Sequence, residues 1–96
     1  MNKTVYLINL YDYYEGLLTE KQKEYFKDYY FNNLSLAEIS ENKSVSRNAV
    51  HKVLKETENK LHNYENKLNL YEKSKKIKQI IKNIDKNTKE KIEELL

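Results

Sequence analysis

Residues 34–68, LSLAEISENKSVSRNAVHKVLKETENKLHNYENKL, decide the reading of this chain. Ser35 and Glu38 have the spacing of a capping box, a hydroxyl for the orphan backbone N–H groups and a carboxylate reaching back. Ser46 is the N-cap of a second helix. Between them Asn42, Lys43 and Ser44 end the first helix. Leu36, Ile39 and Ser40 form its inner face, Val45 closes the turn, and Val50, Val53 and Leu54 form the inner face of the second helix. A short helix, a tight turn and a capped second helix make a helix-turn-helix, placed here at residues 35–61.

The outward face of the second helix carries the candidate site. Arg47, Asn48, His51, Lys52 and Lys55 fall on one side of a 3.6-residue helix, and each can donate to a phosphate or a base edge. A recognition helix sets its N-terminal residues against base edges in the major groove. Arg47 suits a bidentate pair with guanine and Asn48 with adenine. Ser46 is placed to hold a phosphate, and Lys55, further along, is expected nearer the DNA backbone.

Working toward the N-terminus, residues 3–16 read as a helix with apolar positions at Leu7, Leu10, Tyr14 and Leu18, three and four apart. Gly16 sits where a C-cap glycine belongs. Thr19 and Gln22 make a second capping box, and the helix they open is expected to run to about Tyr30, with Gln22, Tyr25, Phe26, Tyr29 and Tyr30 inward. Residues 31–33 then link into the motif. The aromatics crowd between Tyr6 and Phe31. Their spacing favours an aromatic core with phenol tips reaching water over a stacking platform for bases.

Working toward the C-terminus, Val50, Leu54, Thr57, Leu61, Tyr64 and Leu68 alternate at four and three, a heptad seam. The distal half of so long a helix requires another surface to cover it, which predicts dimerisation through residues beyond about Leu61. The phase slips at Asn69, a residue that tolerates the left-handed conformation, so a helix end is expected there. A further helix spans 70–84 with an Ile77, Ile80, Ile81, Ile84 stripe. Asn87 and Glu90 then look like a third capping box, opening a terminal helix with Ile92, Leu95 and Leu96. Lys73, Lys75, Lys76, Lys78 and Lys82 read as a solvated face opposite the isoleucines. The domain reading is a helical unit over 1–68 and C-terminal dimerisation helices over 69–96.

Bulk numbers bound the function. The chain has 96 residues, 39% of them hydrophobic, and a mean hydropathy of −0.96, so its core is built from thin helical stripes. The net charge is +3, modest for a nucleic-acid binder, and it is uneven: −1 over residues 1–34, +1 over 35–61 and +3 over 62–96. Phosphate contacts supply most non-specific affinity, so one copy alone should bind DNA weakly. There is no cysteine, which removes disulfides and thiolate metal sites and fits a reducing cytoplasm. No apolar run approaches the ~20 residues that span a bilayer, and the first residues, with Asp12 among them, do not read as a signal peptide. His51 and His62 are too far apart to share a metal or catalytic site, and no phosphate loop or nucleophile elbow is present. Glu56, Glu58, Glu65 and Glu72 are expected to pair with nearby lysines. The reading is non-enzymatic, with no cofactor.

The chain resembles the YlxM family, small bacterial helix-turn-helix proteins similar to the C-terminal DNA-binding region of sigma factors. The residues that carry the likeness are 17–22 (LLTEKQ), Tyr29-Tyr30, 34–39 (LSLAEI), 45–50 (VSRNAV) and 64–68 (YENKL). The resemblance implies an all-α fold of five to six helices, with a sigma-factor-like helix-turn-helix and dimerising C-terminal helices. It implies a homodimer that binds double-stranded DNA and is tied by gene neighbourhood to the signal recognition particle. The alternative partner is a protein or RNA component of that particle, bound by a helical adaptor. Three positions depart from the usual motif. Ser40 stands where Ala is common, Ser44 where Gly often supplies φ > 0, and Lys43 where an aliphatic residue usually packs. The last predicts a looser turn.

Overall fold

The computed structural model describes residues 2–96, which form six α-helices and no strand: α1 Lys3–Tyr14, α2 Glu20–Phe26, α3 Leu36–Lys43, α4 Arg47–Leu68, α5 Leu70–Ile80 and α6 Lys86–Glu93. The all-α architecture is the expected one. Its centre is α4, about 33 Å long at ~1.5 Å per residue, against which α1, α2 and α3 pack.

Leu7, Leu10, Tyr11 and Tyr14 bury one stripe of α1, at the three-and-four spacing that puts side chains on one helical face. The helix stops sooner than expected and without a glycine cap. A 3₁₀ turn at Glu15–Leu17 follows, with the Leu18 N–H bonded to the Glu15 carbonyl at 3.1 Å, and Gly16 has no positive φ. Thr19 and Gln22 close the expected capping box.

Next, α2 ends at Phe26, and a π turn carries the chain over Lys27–Phe31, with the Asn32 N–H reaching the Lys27 carbonyl at 2.9 Å. The wider turn re-aims the aromatics that a continued α-helix would have spread. Phe26 stacks on Tyr11 at 4.6 Å, and Phe31 meets Tyr11 edge-on at 5.6 Å. Tyr29, expected inward, is exposed. Asn33, at φ 55°, turns the chain into α3. The aromatics do form core here, packed with Leu7, Leu10, Leu18 and Leu61. A second cluster, Tyr25, Ile39, Val50, Val53 and Leu54, lies under the helix-turn-helix.

The heptad seam of α4 is covered within the one chain as far as Leu61. Val50, Leu54, Thr57 and Leu61 are all buried, because α1, α2 and α3 pack along the helix. Beyond Leu61, Tyr64 is half-buried and donates to the Leu17 carbonyl at 3.3 Å, and Leu68 is exposed.

The break falls at Asn69 as predicted, at φ 54°. Asn69 makes no side-chain cap for α5; the buried Glu65 does so instead. Its Oε1 accepts from the Tyr71 N–H at 3.2 Å and its Oε2 from the Glu72 N–H at 3.1 Å. The Tyr14 hydroxyl donates to the same carboxylate and accepts from the Leu70 N–H at 3.1 Å. Two of these contacts lie where a capping side chain would act, satisfying orphan amides and placing negative charge at the helix's positive end. Glu65 therefore does not pair with a lysine as expected.

The predicted helix 70–84 is also shorter: α5 ends at Ile80 and a 3₁₀ turn takes Ile81–Asn83. The terminal cap is Asp85, whose carboxylate accepts the Thr88 N–H at 2.9 Å. Asn87 falls inside the first turn of α6, so the Asn87–Glu90 box does not form. Past residue 69 only Ser74 and Ile81 are buried, while Ile80 is 78% and Leu95 86% exposed.

Candidate nucleic-acid interface

The helix-turn-helix closes through local bonds. Ser35 Oγ accepts the Glu38 N–H at 3.1 Å and Glu38 accepts the Ser35 N–H at 2.9 Å. That second bond, with the Ser35 hydroxyl, holds the Glu38 carboxyl below its ordinary range. Ser44 is left-handed, φ 56° and ψ 44°, although serine has no glycine-like freedom there. The Val45 N–H reaches back to the Ser40 carbonyl at 3.0 Å, the six-to-one bond of a Schellman turn. Ser40 fits the buried slot by donating to the Ala37 carbonyl at 2.8 Å. The Val45 side chain stays exposed.

Lys43 does not leave the turn loose. Its ammonium bonds to Glu24 at 3.1 Å, lies 4.0 Å from Asp28 and sits over the Tyr25 ring. The bond to Glu24 raises its pKa. An aliphatic contact is replaced by a charged clasp that ties α3 to α2.

On α4, Ser46 Oγ accepts the Ala49 N–H at 3.0 Å, as its capping role requires. The structure brings Arg47, Asn48, His51, Lys52 and Lys55 onto one exposed face of the first three turns, with Ser46 exposed beside them. Lys55 differs from the other four: its ammonium is 4.0 Å from Glu58, a carboxylate buried one turn further on. Glu58 also lies 3.6 Å from Lys3 of α1 and accepts the Tyr30 hydroxyl at 2.7 Å. Burial first, and then that bond, push the Tyr30 phenol up.

Lys3 and Glu58 were not singled out as site residues from the sequence. Glu58 carried a signal: it lies four residues after Leu54, on the edge of the buried stripe, where a carboxylate needs a partner. Lys3 carried none, because its partner is on a different helix.

Lys73, Lys75, Lys76, Lys78 and Lys82 are all exposed and belong to the arm that begins at the opposite end of α4 from Arg47. Lys76 lies 3.9 Å from Glu72. His62 is half-buried against the Tyr6 ring at 5.8 Å, not a free surface residue. Among the described residues no group of three or more His, Cys, Asp or Glu is placed to hold a metal ion. Likewise no helix is long and apolar enough to cross a membrane.

Capped α3, a left-handed turn and a capped α4 with its polar face bared define a helix-turn-helix protein, carried on an aromatic helical core. The chain belongs to the family described as "Putative helix-turn-helix protein, YlxM / p13 like" (UPF0122), whose model matches residues 1–96. It is similar to a UPF0122 protein of Ureaplasma urealyticum serovar 10, 47% identical over 75 residues that cover 78% of this chain and 76% of that protein. A UPF0122 protein of Halalkalibacterium halodurans is 44% identical over 84 residues, 88% of this chain and 77% of its own. One from Fusobacterium nucleatum is 38% identical over 97 aligned positions, spanning 100% of this chain and 94% of its own.

Proposed function

We propose that this chain is a DNA-binding regulatory protein of the cytoplasm, non-enzymatic, that reads double-stranded DNA with α4. The observation that carries the reading is the exposed face of Ser46, Arg47, Asn48, His51, Lys52 and Lys55 on a capped helix that follows a left-handed turn. Arg47 and Asn48 act at base edges and Ser46 on a phosphate. Lys52 and His51 lie a turn further along the same face.

The protein acts as a homodimer. The exposed Ile80, Ile84 and Leu95 support that part, and a second copy doubles the modest positive charge presented to phosphate. The dimer contact lies on α5 and α6, the C-terminal helices over residues 69–96. Its work lies in the signal recognition particle pathway, a reading supported only by what the family resemblance implies.

The reading is tested by selection from random duplexes at low salt with wild type and Arg47→Ala. A bidentate base contact contributes ~1–3 kcal/mol of discrimination. Wild type should enrich one sequence, and Arg47→Ala should relax that preference as well as weaken binding. No enrichment by wild type would favour a second reading, an adaptor for a protein or RNA of that pathway. The exposed apolar arm supports that alternative.

A further inference from the structure

Beside the recognition face runs a groove of about 280 Å³ whose walls come from α1, the π turn, α3 and α4. Lys3, His51 and Lys55 stand along it with the Tyr29 and Tyr30 rings, and Glu58 forms part of its lining. Two ammonium groups from different helices, 65% and 54% exposed, converge on the same Oε1 of Glu58. They approach it loosely, at 3.6 and 4.0 Å, while Tyr30 secures the other oxygen at 2.7 Å. The groove therefore carries two cations against one fixed anion, with a histidine donor beside them. The trough continues past Tyr29 and Tyr30 toward Glu38, whose carboxylate is held by the Ser35 cap and marks the end that would repel an anion.

We propose that this groove seats a backbone phosphate of the bound duplex, with Lys3 and Lys55 as the pair that grips it and Glu58 as the anion that holds both lysines ready when DNA is absent. The proposal rests on the DNA-binding reading above and adds α1 to the interface. Its occupant follows from charge complementarity and position. The groove shares His51 and Lys55 with the recognition face, so a strand flanking the major groove passes its mouth. A phosphodiester carries the single negative charge that matches the groove's excess cation. Two lysines held apart on separate helices suit a phosphate, which any sequence supplies, and give no base readout.

The test is a salt titration of duplex binding by the full chain, comparing wild type with Lys3→Gln, Glu58→Gln and a distant control, Lys67→Gln, exposed at the far end of α4. Each lost phosphate contact lowers the slope of log K against log salt by about one. Lys3→Gln should flatten the slope by about one for each copy bound and leave the selected sequence unchanged, whereas Lys67→Gln should leave the slope as it is. Glu58→Gln keeps an acceptor for Tyr30, frees both lysines, and should bind every duplex more tightly with a steeper slope. Because Lys3 is exposed, its variant keeps the test decisive even where Glu58→Gln lowers the melting temperature. Unchanged slopes for Lys3→Gln, or equal flattening by Lys67→Gln, overturn the phosphate seat and leave the recognition helix standing. Failure of wild type to bind any duplex overturns both.

Discussion

The two ends of α4 are held by different physics. Around its N-terminal two-thirds, α1, α2 and α3 pack fully buried side chains such as Leu10, Phe26, Ile39, Val50 and Leu61. At its C-terminal end α5, α6 and the turn between them bury only Ser74 and Ile81, and the bend between α4 and α5 is held by the Glu65 carboxylate and the Tyr14 hydroxyl. Apolar burial is non-directional and tolerates small shifts. Hydrogen bonds to a buried carboxylate fix an angle and are lost together. The helix-turn-helix therefore sits on a well-packed base, while the arm is aimed by those polar contacts and by Tyr71 against the Tyr6 and Tyr13 rings, and leaves Ile80 and Leu95 in water.

The largest expected effect breaks the well-packed end. Phe26→Ala empties the space between Tyr11, Tyr30 and Phe31, where three ring contacts meet. A Phe→Ala change of this kind costs about 3–5 kcal/mol, enough to unfold a small domain of ordinary stability. Urea unfolding should show the whole chain losing helix together; a variant that kept a wild-type midpoint would show that the aromatic cluster is not the base.

Alkaline pH probes the junction between the two ends. Burial first, then the hydrogen bond to Glu65, push the Tyr14 phenol up to about 12, against an ordinary value near 10. A raised folded-state pKa means that the neutral form is favoured by folding. The stability it contributes is complete below pH ~10 and is lost as pH rises through ~12, roughly 2–3 kcal/mol over that window. Tyr30, raised by burial and its bond to Glu58, adds loss in the same direction. The measurement is the unfolding free energy between pH 9 and 12. Tyr14→Phe should flatten it, and a profile identical to wild type would separate Tyr14 from the effect.

Glu65→Ala isolates the bend itself. It leaves the Tyr14 hydroxyl and the Tyr71 and Glu72 amides without their acceptor, at a cost of about 2 kcal/mol. The loss should be local: amide exchange should quicken through α5 and α6 while α1 to α3 keep their protection. Uniform quickening over the whole chain would mean that arm and base form one cooperative unit and that the contrast between them is not energetic.

How much of this was legible follows the range of each interaction. The caps at Thr19, Ser35 and Ser46 and the break at Asn69 each depend on residues three or four apart, and they stand where the sequence put them. So do the exposed positions of Arg47, Asn48, His51, Lys52 and Lys55, because a helix face follows from spacing alone. The terminal cap was misplaced by two residues, since Asp85 and Asn87 both offer an oxygen and only the backbone entry angle chooses between them. The π turn after Phe26 was invisible because it is set by where Tyr11 accepts rings, fifteen residues earlier. Glu65 was assigned to a lysine, the local solution, while its partner Tyr14 lies 51 residues away. The same range hid Lys3, whose contact with Glu58 crosses from α1 to α4. The seam of α4 was read correctly as buried, but the elements that bury it as far as Leu61, α1, α2 and α3, were not legible; spacing reports a face, and only topology says which element covers it.

The smallest effect concerns Ser74. It is the one buried residue of α5, and its hydroxyl is the buried side-chain polar atom without a hydrogen-bond partner among the described residues. It faces an apolar cavity of about 320 Å³ between Tyr13, Leu70, Ile77 and the C-terminal leucines. An unpaired buried hydroxyl loses its water without compensation, and alanine is the better helix former by a few tenths of a kcal/mol. Ser74→Ala should therefore stabilise α5 by about 1 kcal/mol. A base and arm that unfold separately would show the gain as slower exchange in α5 with little change in the urea midpoint. One cooperative unit would move the midpoint itself. A loss of protection in α5 would mean that the hydroxyl has a partner when the protein is in solution, and that the arm is better satisfied than its geometry shows.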